Sequence, residues 1–223
     1  MYLFCRLMGY WKEDLANVLP RLQFITLDLP TLGHVEQADL ACRGGVRWVQ
    51  LRAKGLDAPA WIGLARAVQK ICRTHHATFI INDSVEVAAE VGADGVHLGA
   101  ADASPLSARE RLGAQALIGV TLNYPSDLQR LALGAPNYVG VGPYRATSSK
   151  QAHAPVQTSD ALKNLVQQAQ LPAFVIGGVL QEDFSAIQIL GAYGVALSAA
   201  IARAASPQQA ATQLCAAAAK TWI

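Results

Sequence analysis

The sequence predicts a single (β/α)8 TIM barrel, and three observations carry that expectation. Short apolar, β-branched runs alternate with longer stretches of helical character along the chain. The runs number eight, and a chain of 223 residues is close to the ~250 residues usual for such a barrel. No G-x-G-x-x-G follows the first run. That turn is frequent in the competing open, doubly wound sheet, which also tends to have fewer strands.

The expected strands are residues 23–28, 48–52, 78–83, 95–99, 117–121, 138–143, 173–178 and 194–198. Runs such as FIIND and FVIGG are apolar on both faces, as parallel strands covered by helices must be. Between them, residues 57–74 carry Ile62, Ala65, Val68 and Cys72 at helical spacing. Ser104-Pro105 and Ser206-Pro207 each open a helix, with Ser as cap and Pro at the first position. Gly44, Gly92, Gly113, Gly134 and Gly191 fall near helix ends, where a left-handed residue is commonly needed. The Ala-rich tail reads as the eighth barrel helix. Residues 1–22 read as an N-terminal extension and residues 23–223 as the catalytic barrel.

With 52% apolar and 15% charged residues the chain has ample material for a core, which excludes a disordered protein. A net charge of +2 without a long basic run gives no nucleic-acid partner. Nothing approaches the ~18 consecutive apolar residues of a membrane span. The partly apolar start is interrupted by Arg6 and followed by no small-residue cleavage pattern. Cys5, Cys42, Cys72 and Cys215 are scattered without a CxxC pair, as small apolar residues of a reducing compartment are. The cytoplasm is the expected location.

Reacting groups of such barrels sit at the C-terminal ends of strands. The second strand ends Gln50-Leu-Arg52-Ala-Lys54, and alternation sends Gln50, Arg52 and Lys54 to one side. Cations directed into a barrel mouth need partners, either an anionic ligand or a carboxylate from a neighbouring strand. Asp83 closes the third strand and Asp102 lies just past the fourth, a placement that lets two carboxylates share Mg²⁺. Asp83 taken singly also reads as a helix N-cap. The sixth strand leads into Thr147, Ser149 and Lys150, suited to a phosphate or equally to a solvated loop. Gly178 after the seventh strand and Leu197-Ser198 at the eighth fall where barrels often bind phosphate through backbone N–H groups. Two anions and a metal point to a transferase that expels diphosphate. His97 reads either as a ligand contact or as a hydrogen-bonded barrel histidine. His75-His76 reads as a surface helix end, and Trp11, Trp48, Trp61 and Trp222 as packing residues.

Q-x-R-x-K at Gln50–Lys54, N-D at Asn82-Asp83, H-x-G-x-x-D from His97 to Asp102, G-P-x-x-x-T-x-[TS]-K from Gly142 to Lys150, I-G-G at Ile176–Gly178 and Leu197-Ser198 occur in order. The set resembles the thiamine phosphate synthase family. The resemblance implies that Gln50, Arg52, Lys54, Asn82 and Lys150 hold an aminopyrimidine diphosphate, with Arg52, Lys54 and Lys150 serving the chemistry. It implies that Asp83 and Asp102 bind Mg²⁺, and that Thr147, Ser149, Gly178, Leu197 and Ser198 hold a thiazole phosphate. It also suggests a homodimer. The chain departs from the family where it has Thr121 and Asn123 for the usual Ser and His after the fifth strand, and at Ser149, where Thr is usual. Thr121 retains a hydroxyl for the diphosphate. The alternatives are a related thiazole tautomerase, which typically carries His at Pro143 and lacks the acidic pair, and a barrel that binds phosphate ligands without turnover.

Overall fold

The computed structural model describes residues 19–147 and 155–223. Among them eight parallel strands close into a barrel in chain order, β8 pairing back onto β1. The strands are β1 (Leu22–Ile25), β2 (Trp48–Leu51), β3 (Thr78–Asn82), β4 (Gly95–Leu98), β5 (Leu117–Leu122), β6 (Tyr138–Val141), β7 (Ala173–Ile176) and β8 (Gly194–Leu197). Around them lie α1 (His34–Arg43), α2 (Ala58–Thr74), α3 (Val85–Val91), α4 (Pro105–Leu112), α5 (Ser159–Ala169), α6 (Phe184–Ile189), α7 (Ala199–Ala202) and α8 (Pro207–Thr221). A 3-10 helix, Pro125–Ala132, makes the crossover from β5 to β6. The extension expected over residues 1–22 lies outside the described residues up to residue 18.

Every expected strand exists, but all except β5 leave the ladder before their expected C-terminal ends. Beyond β2, β3, β4, β6, β7 and β8 those last residues line a cavity in the barrel mouth instead. Among the helices, Asp57, Ser84, Ser104 and Thr158 accept capping hydrogen bonds from the first turn. Ser206 does not: its side chain makes no cap bond, and Pro207 with the buried Ala211, Leu214 and Ala218 holds α8 in place. Gly44 is not left-handed either, with φ −77°. A Cβ there would collide with Ala211 of α8, so glycine serves close packing, and Gly45 takes the positive φ.

Alternation divides the strand side chains between two cores. Phe24, Val49, Leu51, Phe79, Ile81, Val96 and Leu98 face outward against the helices. Each such burial contributes roughly 1.5–3 kcal/mol. Inside, Trp48 stands edge-to-face on Tyr138 and on Phe174, with both ring centroids 4.8 Å away. Ile25, Ile80 and Ala196 complete this plug. Glycines make room for it, since a Cβ at Gly119 would strike the Tyr138 ring and one at Gly194 the Phe174 ring. The plug closes the barrel below and leaves its C-terminal mouth open.

Cys42 and Cys72, on α1 and α2, are buried and share a hydrogen bond that, with burial, raises the Cys72 thiol. Both are free thiols used in packing. Among the described residues no helix is long and apolar enough to cross a membrane.

Candidate active site

A cavity of about 240 Å³ fills the mouth above the aromatic plug. Gln50, Arg52 and Lys54 line it from the end of β2, as the alternation requires. Asn82 and Asp83 line it from β3, and Thr121 from β5. Thr147, Gly178, Leu197 and Ser198 close the other side. The Leu197 side chain packs in the outer core, so main chain is what this residue offers the cavity. Asp102 does not line the cavity; it neighbours Asp83, whose charge acts on it. Ser149 and Lys150 lie outside the described residues.

The cations take their position from β1. Thr26 Oγ1 accepts the Arg52 N–H at 3.1 Å, and Asp28 Oδ1 accepts the Lys54 N–H at 3.4 Å. His34 braces both acceptors, through Nδ1 to Thr26 at 2.9 Å and Nε2 to Asp28 at 3.1 Å. The Lys54 ammonium then pairs with Asp83. This is the neighbouring-strand carboxylate weighed as a partner for the cations, and it sits on the open cavity wall.

Asp83 is not the N-cap of α3; Ser84 is, accepting from Val87 N at 3.1 Å. Asp83 has φ +69° and donates its N–H to His97 O at 2.8 Å. A left-handed non-glycine residue costs on the order of 1–3 kcal/mol and marks positions where surrounding structure enforces a side-chain direction. Here the direction is toward Lys54 and Asp102. Burial would raise the Asp83 carboxyl, but hydrogen bonds from Lys54 and Asp102 hold it below the ordinary carboxylate range. Burial and the neighbouring Asp83 raise Asp102, whose Oδ2 accepts the Gly99 N–H at 2.7 Å. The opposite shifts are those of neighbouring carboxyls of which one, here Asp83 beside Lys54, ionises first. Among the described residues no group of three or more His, Cys, Asp or Glu could hold a metal. A pair suffices for Mg²⁺, which takes one or two carboxylates and completes its shell with water and substrate phosphate. The donor set therefore fits that ion.

On the other side, Gly177 and Gly178 adopt φ +97° and +63° and bring their backbone close under the β6 loop. Tyr144 N donates to Ile176 O at 2.9 Å and Arg145 N to Gly177 O at 2.8 Å. The Arg145 guanidinium pairs with the buried carboxylate of Asp183, which also accepts the Leu180 N–H at 2.8 Å. The β6 and β7 loops thus form one unit.

A family model described as thiamine monophosphate synthase matches residues 22–201, nearly the whole barrel. The chain belongs to the thiamine monophosphate synthase family. It is 41% identical to a thiamine-phosphate synthase of Laribacter hongkongensis over 175 residues, covering 78% of this chain and 82% of that one. It is 37% identical to a thiamine-phosphate synthase of Phocaeicola vulgatus over 191 residues, covering 83% and 92%. Among solved structures it is similar to the thiamine phosphate pyrophosphorylase of Pyrococcus furiosus, with TM-score 0.81, 25% identity and coverage of 93% and 98%.

Within this member of the thiamine monophosphate synthase family the site also holds Gln23 and Arg130, which the sequence reading passed over, and gives Asn123 and His97 definite partners. Gln23 lines the cavity from β1, and its inward parity was the available signal. Asn123, which departs from the family, donates Nδ2 to Gly142 O at 2.6 Å and ties the β5 and β6 loops together. Arg130 reaches from the 3-10 helix to Thr121 O at 3.2 Å and Gly99 O at 2.7 Å, joining the loop that carries Asp102 to β5. No local pattern signals that bridge. His97 proves to be a hydrogen-bonded barrel histidine that also borders the cavity, bonded to Tyr138 and Thr121.

Proposed function

We propose that this chain is a thiamine phosphate synthase, joining an aminopyrimidine diphosphate to a thiazole phosphate with release of diphosphate. The observation that carries the reading is the Lys54–Asp83 ion pair, with Asp102 beside it, on the wall of a cavity that positive-φ glycine backbone also lines. One side suits a diphosphate with its cation and the other a monophosphate.

In this reading Gln50, Arg52, Lys54, Asn82 and Thr121 bind and orient the pyrimidine diphosphate. Lys150, outside the described residues, joins them on the leaving group, and Ser149 joins Thr147 on the thiazole phosphate. Gly178, Ser198 and the Leu197 main chain complete that second subsite, where unpaired helix N–H groups and positive-φ glycine leave donors for an anion. Mg²⁺ held by Asp83 and Asp102 would neutralise charge on the diphosphate. The C–O bond to diphosphate breaks, the electron-rich pyrimidine stabilises a cationic methylene, and the thiazole nitrogen forms the new C–N bond. Positioning and fixed charge carry such a step without a protein nucleophile. The Thr26–His34–Asp28 trio is accordingly a brace for the cations, with Thr26 fully buried.

The cytoplasmic setting rests on four scattered cysteines without a CxxC pair, and the homodimer on the family resemblance. Pro143 and the acidic pair disfavour the tautomerase alternative. The test is formation of thiamine phosphate and diphosphate from both purified substrates, with Mg²⁺ and then with chelator. Stoichiometric, metal-dependent product supports the reading; no product from a folded protein overturns it.

A further inference from the structure

We propose that Tyr138, acting through His97, fixes the Thr121 hydroxyl as a hydrogen-bond donor to the pyrimidine diphosphate, so that Tyr138 and His97 are positioning residues of the reaction. The proposal rests on the synthase reading above. Its physical basis begins with two buried amides. Gln50 Nε2 donates to Gln23 Oε1 at 3.2 Å, and Gln23 Nε2 donates to the Tyr138 hydroxyl at 3.4 Å. A phenol has a single proton. Tyr138 accepts from Gln23 and keeps its own proton to give, and the relay has it donate that proton to His97 Nδ1, 3.1 Å away. Burial raises the Tyr138 phenol far above its ordinary value, so that proton stays on the oxygen.

A neutral imidazole carries one N–H, and the partner of one nitrogen decides the state of the other. With Nδ1 accepting, the proton of His97 resides on Nε2. In that tautomer the N–H donates to Thr121 Oγ1, 2.9 Å away. The hydroxyl accepts there, and its single proton is turned to another acceptor. Thr121 lines the cavity and is more exposed than the members of the chain beneath it. The end of the relay is therefore a donor aimed where the ligand sits.

The packing shows that the pair is built in. Tyr138 is fully buried and Gln23, Gln50 and His97 nearly so. Polar groups at such depth need partners, and this chain of bonds supplies them. A Cβ at Gly119 would collide with the Tyr138 hydroxyl and with His97 Nδ1, and one at Gly140 would stand 3.2 Å from His97 Cε1. Two strand positions thus lack side chains at the place the pair occupies.

The experiment combines ¹⁵N NMR of histidine-labelled, ligand-free protein with a double-mutant cycle. Wild type is expected to show His97 as the Nε2–H tautomer, and Tyr138→Phe to lose that preference. Tyr138→Phe is expected to lower kcat about tenfold, the cost of one modest hydrogen bond. The KM for thiazole phosphate should stay near wild type. In a Thr121→Val background the same change should add no further loss, since the relay acts only through that hydroxyl. An Nδ1–H tautomer in wild type, or additive losses in the cycle, overturns the proposal. Should Tyr138→Phe fail to fold, His97→Gln and His97→Leu take its place. Gln keeps an N–H for Thr121 and should retain most of kcat, whereas equal losses in the two variants overturn the relay. Should wild type make no thiamine phosphate, the synthase reading falls, and the relay is judged by the tautomer and by calorimetric binding of the pyrimidine diphosphate across the same cycle.

Discussion

Lys54 and Asp83 form an ion pair across the ends of β2 and β3, while the neighbouring Asp102 is pushed the opposite way from Asp83. One carboxylate thus answers to a cation on one side and a second carboxyl on the other. A divalent ion would offset the charge of the two carboxyls, and a diphosphate would draw Lys54 onto its own oxygens. The cluster is arranged for an exchange of partners on substrate binding. Asp83 is held for it by a left-handed backbone that a cap residue would not need.

Asp102→Ala removes half of the carboxylate pair. The Mg²⁺ concentration giving half-maximal activity should rise about tenfold or more, and turnover should fall. An unchanged metal requirement would remove Asp102 from the metal site.

The same pair predicts how pH and Mg²⁺ interact. Asp102 is raised, so in metal-free protein its ionisation works against the fold as pH rises through its folded value. Asp83 is depressed, so its contribution is present above the ordinary carboxylate value and is lost as pH falls through the lower folded one. Mg²⁺ competes with the proton that the raised Asp102 holds. The Mg²⁺-induced rise in Tm should therefore be larger at neutral pH than at the acid end of the carboxylate range. An equal rise at both pH values would show that the ion binds elsewhere.

Lys54→Met separates stability from chemistry. The Lys54 side chain is 52% exposed, so solvent screens its pair with Asp83. The change should cost about 1 kcal/mol or less in urea unfolding. Affinity for the pyrimidine diphosphate should fall far more than that, by roughly tenfold or greater, the scale of a lost charge-assisted hydrogen bond. Similar small losses in both measurements would make Lys54 a surface ion-pair residue.

Much of the site was legible because strand parity is local. Once β2 was placed, Gln50, Arg52 and Lys54 had to share a side, and they line one cavity wall. The barrel followed from counting apolar runs, which do not depend on which strands meet. Contacts between distant strands were not legible. Nothing near Tyr138 shows that its hydroxyl meets His97 two strands away, or that Gly119 is empty to admit it. The cap of α3 failed for a related reason. Asp83 and Ser84 are both good caps by type, and the bond from Asp83 N to His97 O decided between them. Likewise Gly44 was read as a helix terminator from local chemistry, whereas the close approach of α8 is what requires it.

The last prediction concerns the seam between the β6 and β7 loops. Gly178 has φ +63°, and a Cβ there would lie 2.8 Å from Arg145 Cβ and 3.0 Å from Ala146 O. Gly178→Ala meets a left-handed backbone costing roughly 1–2 kcal/mol, and it must also push the β6 loop away. Arg145 is tied to Asp183, so the displacement should pass into the ion pair and on to the Leu180 N–H that Asp183 accepts. The KM for thiazole phosphate should rise, and Asp183→Asn, which loosens the same seam from beneath, should raise it too. The two changes touch one structure, so the double variant should lose less than the sum of the singles. If the losses add in full, or if KM for the pyrimidine diphosphate rises instead, the glycine wall is not the thiazole phosphate subsite.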